Sequence, residues 1–207
     1  MIAGVGGLGL WLALRGESAG AAQEAIADGD FAAALERTAG DEREAALLAA
    51  ATAAKHLLLW ERAEESLGRV LAGDPGHGEA LLELGLLRLY RGRSADADEL
   101  LVRALGARAD LAESITLHRA VAAELAGHGD RARALFEEVE AQLETKLRLD
   151  VGEGDPEFAE WFLHSAVMWR ATGRGDKAEW AWKAAVAAAP HSRLADHISG
   201  ELGLWPA

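Results

Sequence analysis

At 207 residues, half of them hydrophobic, the chain is long enough to bury one good core, and its richness in Ala, Leu, Glu and Arg without a convincing strand indicates an all-α class. Thirty-four Asp and Glu against 21 Lys and Arg leave a net charge of −13, which argues against a nucleic-acid partner, since phosphates call for clustered basic residues. The absence of Cys excludes disulfide scaffolds, thiol catalysis and Cys-ligated zinc.

The N-terminus opens with an uncharged run, Ile2 to Leu14, that ends at Arg15. It is shorter than the roughly 20 apolar residues that cross a bilayer and suits a signal-peptide core or a buried segment. No basic residue precedes it, although Ala19-Gly20-Ala21 offers a small-x-small pattern. The expectation is an apolar segment over residues 1–16 that acts as a transmembrane anchor or export signal, so that the chain is membrane-attached or exported, with a cytoplasmic location otherwise. A helix packed on the rest of the fold is the competing reading. Gly4, Gly6 and Gly9 match the spacing G-x-G-x-x-G, but no strand can precede them and helices follow, so nucleotide binding is not expected.

Residues 17–207 read as a single helical repeat domain. Ser18 to Thr38 forms a shortened helix pair with its turn at Gly29-Asp30 and with Phe31, Ala34 and Leu35 facing inward, as an N-terminal cap requires. The unit from His77 to Asp110 is clearer. Leu81, Leu84 and Arg88 follow helical spacing, a turn falls at Arg91-Gly92-Arg93-Ser94, and Ala97, Leu101, Ala104 and Leu105 form the stripe of a second helix. Gly85 and Ala97 sit where two helices cross closely. Counting 34 residues back from Ala97, Leu101 and Leu105 reaches Ala63, Leu67 and Leu71, and Ala132 with Phe136 lies 35 residues ahead of Ala97 and Leu101. Ala178, Trp182, Ala185 and Val186 repeat the stripe a fourth time, 46 residues after Ala132, which implies an inserted loop at 148–156. A final helix, Arg193–Leu202, caps the stack with Leu194, Ile198, Leu202 and Trp205.

This periodicity resembles the tetratricopeptide repeat family. Leu84, Gly85, Gly92, Ala97, Leu101, Ala104 and Leu105 carry the resemblance, as do Trp169, Gly173, Ala178, Trp182, Ala185 and Pro190. Arg88 stands where the family has an aromatic residue, and Ala50-Ala51 and His118-Arg119 replace its Leu-Gly pair. The resemblance implies an α-solenoid of antiparallel helix pairs, wound as a superhelix, whose first helices line a concave groove. It thereby assigns Leu48, Lys55 and His56, then Leu82, Leu86, Leu89 and Tyr90, then Leu117 and Val121, then Leu163, Val167 and Arg170 to a partner-binding surface. That surface is largely apolar, with Lys55, His56 and Arg170 as isolated polar groups. It implies a non-catalytic scaffold that binds a protein or peptide partner, either an apolar peptide or an amphipathic helix. Two alternatives accompany it: a structural subunit of a larger assembly whose groove is covered by itself or by another subunit, or a chain that covers its own groove, by tight winding or by the C-terminal helix or the Ile2–Leu14 run folding back into it.

No catalytic constellation stands out, and no cofactor is implied. Asp150, Glu153 and Asp155 do not follow the order of a calcium loop, and the seven histidines show no metal spacing. His56 and His164 read as partly buried helix residues. Trp161 and Trp180 fall outside the repeat's core positions and form either a satellite cluster beneath the last helix or an exposed partner site.

Overall fold

The computed structural model of the chain describes residues 18–148 and 159–200. Among them there is no strand. A helix over residues 18–27 (α1) and α2 (Phe31–Arg37) form a short pair, in which the Asp30 carboxylate caps α2 by accepting the Ala33 N–H at 2.9 Å. Full-length pairs follow: α3 (Glu44–His56) with α4 (Trp60–Gly73), α5 (Gly78–Tyr90) with α6 (Ser94–Ala107), α7 (Ala112–Leu125) with α8 (Gly129–Arg148), and α9 (Ala159–Ala171) with α10 (Gly175–Ala188). The chain ends in α11 (Leu194–Gly200). The fold is an all-α solenoid of antiparallel helix pairs.

The turns inside the pairs share one geometry. Gly92 lies in the left-handed region at φ 70°, which lets the Arg93 N–H reach back to the Arg88 carbonyl at 2.9 Å and close α5. Gly127 and Gly173 do the same for α7 and α9, at φ 75° and 79°. In the first full pair the equivalent residue is Leu58, held at φ 59°, a conformation that costs a side-chain-bearing residue about 1–2 kcal/mol.

Close packing between the helices of a pair depends on small residues. A methyl group placed on Gly85 would lie 3.0 Å from the Leu101 side chain, and Ala97 is fully buried at the same crossing. Ala97→Leu is therefore expected to overpack the α5/α6 contact and to cost about 1–3 kcal/mol, read as a shift of the urea midpoint. An unchanged midpoint would mean that the crossing is looser than described.

The second helices bury the stripe the repeat requires: Ala63 and Leu67 in α4, Ala97, Leu101 and Ala104 in α6, and Ala132 and Phe136 in α8. The last pair departs from expectation. In α10 the buried stripe is Ala178, Ala181 and Ala185, whereas Trp182 is half-buried and Val186 is exposed. Trp169 of α9, fully buried in the same cluster, takes up the volume, so α10 meets α9 through alanines.

The array also closes on itself. The Arg193 N–H, just before α11, donates to the His56 carbonyl at the end of α3 at 2.8 Å. His197 of α11 bonds the Tyr90 carbonyl at the end of α5, and its ring lies 5.2 Å from that of Trp60. Helix-terminal carbonyls that would otherwise face solvent thus draw the C-terminal helix across the array.

Expectations for the termini need correction or lie elsewhere. Among the described residues no helix is long and apolar enough to cross a membrane, so the assignment of a transmembrane helix, and with it a membrane-anchored or exported location, is withdrawn. Ile2–Leu14, on which it rested, lies outside the described residues, as do residues 149–156 of the expected loop 148–156, with Asp150, Glu153 and Asp155, and Leu202 and Trp205.

Candidate functional site

The first helices α3, α5, α7 and α9 converge, and at their meeting point the sequence places ionisable groups. Lys55, with 3% of its side chain exposed, extends its ammonium to Glu83 of α5 at 2.7 Å and to Glu160 of α9 at 2.5 Å. Nε2 of His56 lies 3.3 Å from the same Glu160 oxygen, while its Nδ1 is 2.8 Å from Ser192 Oγ and its ring stacks on Phe31 at 4.2 Å. The Tyr90 hydroxyl donates to the other Glu160 oxygen at 3.0 Å.

These contacts set the charges. Burial opposes ionisation of Glu160, but Lys55 and His56 outweigh it and hold the carboxyl well below its ordinary range. Burial likewise opposes the charge on Lys55, and the two carboxylates more than compensate, so the ammonium holds its proton more tightly than usual. Burial, together with the Glu160 charge, outweighs the help Glu83 has from Lys55 and, more weakly, His56, and pushes its pKa up. Of the two carboxyls, Glu83 is therefore the one that takes up a proton first as pH falls.

A directional chain of hydrogen bonds runs from Glu160 outward. Because Glu160 is ionised, Tyr90 must donate to it, and the Tyr90 oxygen then accepts from His164 Nε2–H at 2.9 Å. His164 Nδ1 is left as an acceptor and takes the proton of His118 Nδ1–H, and His118 Nε2 accepts from the Ser114 hydroxyl at 3.1 Å. Neutral imidazoles are what this order needs. Burial depresses both histidines, His164 to about 4, and His118, which also faces the second ring, well below its usual value. Burial also raises the Tyr90 pKa, reinforced by Glu160, so the phenol stays protonated.

The chain resembles a nucleophile relay only in outline. Ser114 and His118 are one helical turn apart, but His118 is buried against a second imidazole and is too weak a base to take the serine proton near neutral pH. The network is structural. Among the described residues no group of three or more His, Cys, Asp or Glu could hold a metal ion.

The open apolar groove expected from the sequence is closed in this chain. Leu48, Leu82, Leu86, Leu89, Tyr90, Leu117, Val121, Leu163 and Val167 are buried, as are Lys55 and His56, and Arg170 is exposed. Lys55 and His56 are not isolated polar groups but the centre of the ion cluster, because α9 swings close enough to α3 to present Glu160 to both. His56 and His164 are fully buried, where partial burial was expected. What remains open is a cavity of about 170 Å³ lined by Leu82, Glu83, Leu86, Ser114, His118, Glu160 and Trp161. Of the residues assigned to partner binding, Leu82 and Leu86 reach it. Trp161 stands beside Phe162 at 5.4 Å, and Phe162 meets half-exposed Trp180 at 5.6 Å, both edge to face.

Glu83, Ser114, His118, Glu160 and His164 escaped the reading of the sequence as site residues, although a signal was present. Glu83, His118 and His164 occupy one register in successive first helices, each directly after a leucine of the concave series, so that an ionisable group recurs beside the expected groove.

No protein-family model matches the chain, and no curated protein matches it. Solved structures do. A thermophilic TPR protein of Thermus thermophilus aligns with a TM-score of 0.61 at 19% identity, over 92% of this chain and 100% of that one. A tetratricopeptide repeat protein from Parabacteroides merdae gives 0.58 at 14% identity, over 92% and 83% of the two chains. The MamA protein gives 0.53 at 16% identity, over 91% and 94%. These likenesses show the fold, an α-solenoid of tetratricopeptide-repeat type.

Proposed function

We propose that this chain is a non-catalytic interaction scaffold whose partner, a protein or peptide segment, docks at the mouth left open in its concave face. The observation that carries the reading is the cavity between α5, α7 and α9, where apolar Leu82, Leu86 and Trp161 line it together with polar Glu83, Ser114, His118 and Glu160. Recognition sites combine apolar lining with a few placed polar groups in this way. An apolar peptide or amphipathic helix laid along the whole concave face is a poorer fit. It would have to uncover Leu89, Leu117, Val121, Leu163 and Val167, and each re-exposed side chain costs roughly 1.5–3 kcal/mol. A segment that inserts one side chain into the mouth and rests on Leu82 and Trp161 avoids that cost.

The test is selection of a displayed random-peptide library on the purified chain, followed by affinity measurement on Leu82→Glu and Trp161→Ala. The expected outcome is a set of peptides that lose at least about tenfold in affinity on both variants, equivalent to about 1.4 kcal/mol. Failure to enrich any peptide, or peptides indifferent to both changes, would contradict the reading. A uniform oligomer in light scattering that shields Trp161 would replace it with a subunit role.

A further inference from the structure

The C-terminal helix is placed unlike an ordinary end cap. α11 (Leu194–Gly200) follows the fourth full pair in the chain, yet its hydrogen bonds run to the first two. The Arg193 N–H donates to the His56 carbonyl that ends α3, and His197 Nε2–H donates to the Tyr90 carbonyl that ends α5. Beside these bonds Leu194 and Ile198 are fully buried, and the His197 ring packs against Trp60 at the start of α4. Donor and apolar residue therefore come as neighbours, Arg193 with Leu194 and His197 with Ile198, and the two couples stand four residues apart on one helix face.

Three observations make this attachment releasable. Two turns are too few for a helix to hold its shape alone in water, so α11 is ordered by its seat and not by its own propensity. Its root, residues 189–193, is tied at Ser192, whose Oγ meets His56 Nδ1 at 2.8 Å and accepts the Leu194 N–H at 3.2 Å, while Pro190 and His191 are exposed. A cavity of about 610 Å³, lined among others by Phe31, Leu57 and His191, borders the root on one side. Finally, the array has cores of its own: the stripes of α4, α6 and α8 and the ion pairs joining α3, α5 and α9 are built without α11.

We infer that α11 is a strap seated on a second docking surface, and that this seat accepts in its place a partner's two-turn helical segment of the same pattern, with apolar residues at i and i+4 and a side-chain donor at i+3. Release of α11 leaves the His56 and Tyr90 carbonyls without these donors beside an apolar hollow, and only a segment that supplies both replaces it without loss. The exchange is like for like, so it avoids the exposure that a longer helix along the concave face would require. The tether favours α11, because a linked segment competes at a high effective concentration. A free segment therefore binds weakly until the strap is loosened. The seat shares no lining residue with the mouth at Trp161, so the inference goes beyond the scaffold reading and can fail separately.

The probe is an acetylated, amidated peptide of residues 189–200, titrated into the whole chain. The indole N–H signal of Trp60, assigned with Trp60→Phe, reports on the seat. The Ile198→Asp chain, which puts a carboxylate on the buried face of α11, is expected to bind the peptide at least about tenfold more tightly than wild type does. The peptide carrying the same Ile198→Asp change should not bind. Amide hydrogen exchange of the Ile198→Asp chain should show protection lost in α11 and kept in α3, α5 and α9. His197→Ala introduces no charge and is expected to move both readouts the same way by a smaller factor; it decides the matter if the Ile198→Asp chain unfolds. Protection lost throughout the array in both variants would make α11 part of the core and overturn the inference. A peptide that binds wild type and variants alike, or none of them, would overturn it as well. An affinity that falls with Trp161→Ala would move the peptide to the mouth, overturning the seat and leaving the scaffold reading intact.

Discussion

Lys55→Ala is expected to destabilise the chain by about 3–5 kcal/mol, because it leaves Glu83 and Glu160 largely buried without their shared counter-ion. The size of the effect comes from the survivors and not from the lost pair. Removing all three charges should therefore restore much of the stability: Lys55→Met combined with Glu83→Gln and Glu160→Gln removes the buried charges together with their desolvation cost. Urea unfolding of the single and triple variants gives the comparison. A single variant that loses less than about 1 kcal/mol would place Lys55 at an ordinary exposed pair.

Acidification is expected to weaken the fold through the histidines. His164 titrates at about 4 in the folded chain against 6.5 when unfolded. The unfolded state thus takes up its proton first as pH falls, and stability declines from about pH 6.5 down to about pH 4. At about 1.4 kcal/mol per unit the whole window is worth roughly 3 kcal/mol for His164, of which about 2 falls between pH 7 and 5. His118, depressed by burial and by the facing ring, acts in the same direction. Glu160, held low, adds a loss only below the ordinary carboxylate range, as pH falls toward its folded value. Glu83, raised by burial, works the other way: the folded chain takes its proton more readily, so its contribution grows as pH falls through that raised value. Comparing wild type with His164→Gln isolates the histidine. Wild type should lose about 2 kcal/mol more than the variant between pH 7 and 5, and parallel losses would contradict the assignment.

How much of this was legible follows from what sets each feature. The pairs and their turns are local matters: a left-handed glycine at Gly92, Gly127 and Gly173, and small residues such as Ala97 at the crossings, mark them in the sequence. The concave series Leu48, Leu82, Leu117 and Leu163 was legible as one face, but not what covers it. That depends on how tightly the pairs wind, a property summed over many close contacts, and on α11 bonding back to the ends of α3 and α5. Glu160 illustrates the difficulty. Its partner Lys55 is three pairs away, and nothing at either position announces the other. In the structure the concave leucines are buried, and an ion cluster centred on Lys55 stands among them.

The most direct measurement is imidazole ¹⁵N NMR of the whole chain near neutral pH, with His118 and His164 assigned by substitution. The account predicts two neutral rings of opposite tautomer, His118 carrying its proton on Nδ1 and His164 on Nε2, joined by a scalar coupling across the hydrogen bond between their Nδ1 atoms. Rings that titrate together near 6.5 in the ordinary solvent tautomer mixture, without that coupling, would mean that the first helices do not converge and that the concave face is open.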